Sequence, residues 1–122
     1  MSHFTTVSTQ IKDLSLLNAS AKALGLKKVE RTVVNGYIGQ KTEAEHVWQV
    51  SENYDFGVIK NANGTYDLIA DWWGCGLTTP NLDKKIIQEY SVQSILRRAK
   101  LMGHSAVRET QPDGSVKVKV KS

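Results

Sequence analysis

Residues 54–73 read YDFGVIKNANGTYDLIADWW. This stretch restricts the fold more than any other in the chain. Tyr54, Phe56 and Val58 recur at every second position, and so do Tyr66, Leu68, Ala70 and Trp72. A period of two is the signature of a strand with one buried face. Between the two runs lies NANG, residues 61–64. Asn and Gly accept the positive φ that a tight turn requires. The two runs therefore form a hairpin, read as a strand that continues through Trp72 and Trp73. Its apolar face must be covered by something else in the chain.

Helices are available for that cover. Asp13 stands where an N-cap belongs, and Leu14, Leu17, Ala21 and Leu24 follow at helical spacing, with Gly25 placed to end the helix. A second helix is expected after the GCGLTTPN break, with Thr79 as N-cap and Pro80 in the first turn. Its apolar residues are out of phase: Leu82, Ile86 and Tyr90 on one side, Val92, Ile95, Leu96, Ala99 and Met102 nearly opposite. That predicts either a bend near Tyr90 or a helix buried on two sides. Strands are expected in HFTTVSTQI, in VERTVVNGYIGQ and in EHVWQV. A last hairpin over 105–121 turns at QPDG, and in it Val116, Val118 and Val120 alternate with Lys117, Lys119 and Lys121. The lysine face is solvated and discourages edge pairing.

The order β-α-β-β-β-β-α-β-β predicts one α+β domain over 1–122, with an antiparallel sheet of about six strands and two helices on one face. Ferredoxin-like and helix-grip arrangements both satisfy it. At 122 residues the chain can bury roughly two-thirds of its unfolded surface, so it needs no metal or disulfide to fold. One cysteine allows no internal disulfide and fits a reducing compartment. No apolar run reaches the roughly 20 residues of a membrane helix, and MSHFTTVSTQ lacks the features of a signal peptide. The net charge of +4 comes from scattered lysines and permits an anionic partner without requiring one.

Several blocks, taken together and in order, resemble a known family: MSHF, TQIKDLSLL, NGYIGQ (35–40), YDFG (54–57), NANGTYDLIADWWG and IIQEYSV. It is the family of hypothetical chloroplast reading frame thirty-five, a domain of unknown function found in plastids, cyanobacteria and other bacteria. GCGLTTPN and the lysine-rich last strand depart from its pattern. The resemblance implies a soluble protein of the plastid stroma or the bacterial cytoplasm and implies no reaction or cofactor.

No nucleophile–base pair, phosphate loop, His-x-x-x-His or Cys-x-x-Cys spacing is present. Aromatics and glycines do cluster. The leading expectation is a non-enzymatic binding or accessory protein that offers Trp73, Asp71, Tyr37 and His3 to a protein partner or small ligand. On a strand Trp72 shares the apolar face and is core, while Trp73 shares its face with Asp67 and Asp71 and lies at the rim of a shallow site. Asp67 and Asp71 would stand about 13–14 Å apart on that strand, with Asp55 able to approach Asp67 across the hairpin. One rival is a metal- or thiol-dependent enzyme using His3, Asp71 and Cys75, with His46 as a further ligand. The other is an anion or nucleic-acid module using Arg97, Arg98, Lys117 and Lys119.

Overall fold

The computed structural model describes residues 3–121, so Met1 and Ser2 of the MSHF block and Ser122 lie outside it. The elements in chain order are β1 (Thr5–Ser8), α1 (Leu14–Ala23), β2 (Lys27–Val29), β3 (Val33–Asn35) and a 3-10 turn (Tyr37–Gly39). They continue with β4 (Lys41–Glu43), β5 (His46–Gln49), β6 (Asp55–Lys60), β7 (Tyr66–Ala70), α2 (Trp72–Cys75), α3 (Leu82–Leu101), β8 (Ser105–Thr110) and β9 (Val116–Lys121). Five strands make the main sheet in the order β1-β7-β6-β5-β2, and every pairing is antiparallel. β3–β4 and β8–β9 are separate hairpins. The class is α+β, as the element order requires.

The period-two reading fixes which side chains meet. Phe56 lies opposite Ala70 and Val58 opposite Leu68, so the apolar alternations of β6 and β7 fall on one face. Trp48 of β5 joins them opposite Phe56. Leu17 and Ala21 of α1 and Leu82 and Ile86 of α3 cover this face, which is the main core. Both long helices thus sit on one side of the sheet. The other face carries Val47, Gly57 and Ile69 in a row across three strands. Val34 and Ala44 of the β3–β4 hairpin pack there. Gly57 is what lets them approach: a Cβ at that position would lie 2.6 Å from side-chain carbons of both Val34 and Ala44.

Local signals mark several boundaries. Asp13 caps α1 by accepting from the Leu16 N–H, and Gly25 follows with φ +80°. Two other boundaries move. β7 stops at Ala70, because Asp71 accepts a hydrogen bond from the Gly74 N–H and opens a short helix. Trp72 and Trp73 are therefore helical rather than on opposite faces of a strand. The turns after α2 run on to Thr79, whose N–H donates to the Cys75 carbonyl at 2.9 Å. Thr79 cannot cap from there. α3 instead begins after Asn81, which takes the left-handed conformation (φ 56°) that Asn tolerates better than most residues.

α3 is one unbroken helix with no break near Tyr90, and it is covered on two sides; of the second apolar arc Val92 and Ala99 are buried, but Ile95 and Met102, expected there too, are exposed. α1 lies against one side and the β8–β9 hairpin against the other. On the hairpin side, buried Glu89 accepts two hydrogen bonds from Arg108, at 2.9 and 2.8 Å, and one from Gln93 at 2.8 Å. The Arg108 guanidinium outweighs the opposing effect of burial and, helped by Gln93, holds the Glu89 carboxyl below the usual carboxylate range. A carboxylate with a depressed folded value adds stability above its unfolded value, about 4.3, and loses it as pH falls through the folded value. Protection from hydrogen exchange over residues 105–121, taken relative to the intrinsic rate, is therefore expected to fall selectively below about pH 4. Glu89→Gln should remove that acid step; if the step persists in the variant, another group causes it.

Candidate functional site

The register of β6 and β7 places Asp55 and Asp71 just outside the paired residues Phe56 and Ala70, at one end of the sheet. Both are only 1% exposed, and both are satisfied. Asp55 accepts from Arg31 with both oxygens, Oδ1 at 2.9 Å from Nη2 and Oδ2 bonded to Nη1. Asp55 Oδ2 also accepts the Asn35 N–H at 2.7 Å. Asp71 accepts the Gly74 N–H with Oδ1 at 3.2 Å and the Tyr37 N–H with Oδ2 at 3.1 Å. The two carboxylates therefore hold the peptide N–H groups on either side of Gly36. A Cβ on Gly36 would stand 2.7 Å from the Phe4 ring and 3.3 Å from Asp71 Cβ, so only glycine fits between them.

The loop that these bonds pin is tight. Gly36 N–H donates to the Gln40 carbonyl at 2.9 Å, and Gln40 N–H donates back to Tyr37 at 3.0 Å. At its apex Ile38 has φ 43° and ψ 58°, a left-handed conformation that a β-branched residue adopts at a cost of about 1–2 kcal/mol. Its side chain is not repaid by burial: it is 80% exposed. Beside it the Tyr37 ring meets Trp73 edge to face, with centroids 6.3 Å apart and planes at 84°. Trp73 is 57% exposed, while Trp72 is half-buried against the main core and donates from Nε1 to the Thr5 carbonyl at 3.1 Å. Tyr54 packs on Gly74 so closely that a Cβ there would lie 1.8 Å from its ring. Burial first, and then the Asp71 charge, push the Tyr54 hydroxyl above its usual range. A crevice of about 420 Å³ separates the 35–39 loop from residues 52–54.

Chemically this end of the sheet is quiet. Cys75 is buried, and its Sγ donates to the Asp55 carbonyl at 3.6 Å. Burial, followed by the nearby Asp71 and Asp55, pushes its thiol up to about 12, which leaves almost no thiolate near neutral pH. Asp71 has both oxygens committed to backbone. His3 is exposed and precedes Phe4 in the chain; His46 is half-buried on β5 opposite Val58. No group of three or more His, Cys, Asp or Glu side chains able to hold a metal occurs among the described residues. Asp67 does not meet Asp55. It stands opposite Ile59 and accepts from the Asn61 amide at 3.0 Å. Among the basic candidates, Arg97 is paired with Asp13 at 3.1 Å and Lys119 with Glu109 at 3.3 Å. Arg98 and Lys117 are exposed.

The structure thus brings Trp73 and Tyr37 together. Asp71, expected to be offered to a partner or ligand, is instead buried with both oxygens on backbone N–H groups. Sequence reasoning misses Arg31, Asp55 as a clamp, and Ile38. A profile described as "Protein of unknown function (DUF1257)" matches residues 20–119. The chain belongs to the DUF1257 family. An "Uncharacterized protein ycf35" of Guillardia theta is 36% identical over 122 residues, covering 97% of this chain and 94% of the relative. A protein of the same name from Cyanophora paradoxa is 30% identical over 125 residues, covering 98% and 96%. Both names denote a hypothetical chloroplast reading frame. No solved structure matches this DUF1257 chain. Arg31, Asp55, Asp71 and the pinned loop all lie inside the matched span; His3 lies outside it.

Proposed function

We propose that this DUF1257 protein is a non-enzymatic binding or accessory protein that presents Trp73, Tyr37 and Ile38 to a protein partner. Ile38 carries the reading. A bulky apolar side chain is held outward on strained backbone, next to an exposed tryptophan, by two buried carboxylates. Such strain persists only where the surroundings enforce it, and it concentrates at functional sites. The buried acids and thiol are occupied by structure, which argues against an acid–base or thiol mechanism here. None of the helices among the described residues is long and apolar enough to cross a membrane. We place the protein in a plastid stroma or a bacterial cytoplasm, in keeping with the reading-frame name of its relatives.

Two variants test the proposal. Trp73→Ala should leave the thermal melt nearly unchanged and weaken a partner captured from native extract by about 2 kcal/mol or more, roughly thirtyfold. Ile38→Gly should melt at the same temperature or higher, since relief of about 1–2 kcal/mol of strain exceeds the roughly 0.5–1 kcal/mol entropic cost of glycine. It should nevertheless lose partner affinity. Capture at undiminished affinity by both variants would refute this face as the binding surface.

A further inference from the structure

α3 has a third side that neither the sheet nor the terminal hairpin covers. Ile87, Ser91, Ile95, Arg98, Leu101 and Met102 fall within about a third of its circumference at 3.6 residues per turn. Ile87, Ile95, Leu101 and Met102 are all exposed, Leu101 by 81%. The stripe is about 22 Å long at 1.5 Å per residue. It is also the floor of a groove rather than a flat face. One hollow of about 580 Å³ has Asp13 and Leu16 on its far wall, and a second of about 560 Å³ has the 8–11 segment there. Ser94 lines both, so they are neighbours along α3. Polar groups in the floor are small, apart from one.

That exception is Arg98. It has no ion-pair partner among the described residues, whereas neighbouring Arg97 is neutralised by Asp13 at 3.1 Å. Among the described residues Asp13 is the only carboxylate lining either hollow, and it is already paired. The groove is therefore apolar along its length and positive at one end, in a chain of net charge +4. We propose that it docks an amphipathic helix of a partner protein, with an apolar face on α3 and acidic residues beside Arg98. Apolar residues spaced at i, i+4 and i+7 on the incoming helix match a straight groove of this kind. A second copy of the chain would set positive ends against an equally positive molecule, and a nucleic acid would find an apolar floor whose one aromatic, Tyr90, is half-buried.

The surface is distinct from the Trp73 face, and the test keeps them apart. Two labelled synthetic helical peptides share a leucine face; one carries glutamates on its flanks and the other lysines. Fluorescence anisotropy should show the glutamate peptide binding the full chain about fivefold or more tighter than the lysine peptide. Arg98→Glu should reverse that preference. Leu101→Gln, at a position exposed enough to spare the fold, should abolish binding of both. Trp73→Ala should change neither. Equal affinities for the two peptides, an unchanged preference in Arg98→Glu, or no binding at all would overturn the proposal. So would sedimentation showing a dimer that Leu101→Gln dissociates, which would assign the groove to a second copy.

Discussion

Arg31→Ala is expected to destabilise the fold by about 3–5 kcal/mol, the range seen when one partner of a buried ion pair is removed. The asymmetry of the pair decides which partner to remove. The Arg31 side chain is 36% exposed and could turn to water if Asp55 were lost. Asp55, 1% exposed, could not. Without Arg31 its carboxylate keeps only the Asn35 N–H and, through Oδ2 alone, one hydrogen bond for a full charge. Arg31→Lys should fall between, since an ammonium cannot reproduce the two-pronged contact. Urea unfolding of both variants at pH 7 measures the two losses. A loss below about 1 kcal/mol at pH 7 would class the pair with ordinary surface ion pairs.

Trp48→Ala should cost as much, about 3–5 kcal/mol, for a different reason. Trp48 is fully buried and stacks on Phe56, with centroids 4.9 Å apart and planes 9° from parallel. Its Nε1 donates to Asn18 at 3.0 Å, which ties β5 to α1. Lys28 lies 5.6 Å from its ring centroid. Truncation opens a cavity beneath α1 and strips one side from Phe56. Trp48→Phe should recover much of the loss by keeping the stack. Circular dichroism of the two variants in denaturant separates lost volume from the lost hydrogen bond, and equal destabilisation by both would assign the energy to the Asn18 contact.

Features carried by adjacent residues were legible before the fold was known. Asp13 and Gly25 bound α1 because a cap acts over three or four residues. The Asn61–Gly64 turn and the alternation on either side marked the β6–β7 hairpin and its buried face, but not its register: Asp67, expected near Asp55, stands opposite Ile59. Reading failed where a distant group decides. Asp71 looked like one more strand residue, yet its oxygens take the N–H of Gly74 and of Tyr37, the latter 34 positions away. Trp73 proved more exposed than Trp72, but on helical geometry and not through the alternation that suggested it. Arg31 and Asp55 are 24 residues apart, and no local pattern joins them. Ile38 is hidden for the opposite reason. Its residue type argues against the left-handed backbone it adopts, and Gly36 and Gly39 announce only that the chain turns nearby.

The placement of β1 has a consequence for synthesis. In the main sheet β5, β6 and β7 are joined in chain order and β2 pairs with β5 across the β3–β4 hairpin, but Thr5 pairs with Ala70. β1 is thus an edge without a mate until 65 further residues (70 minus 5) have been added. At about 5–20 residues per second that interval is about 3–13 s. During it Thr5–Ser8 offers bare backbone to any extended chain, and its length of four residues, short of the roughly six or seven that a steric zipper uses, makes it a poor seed for aggregation.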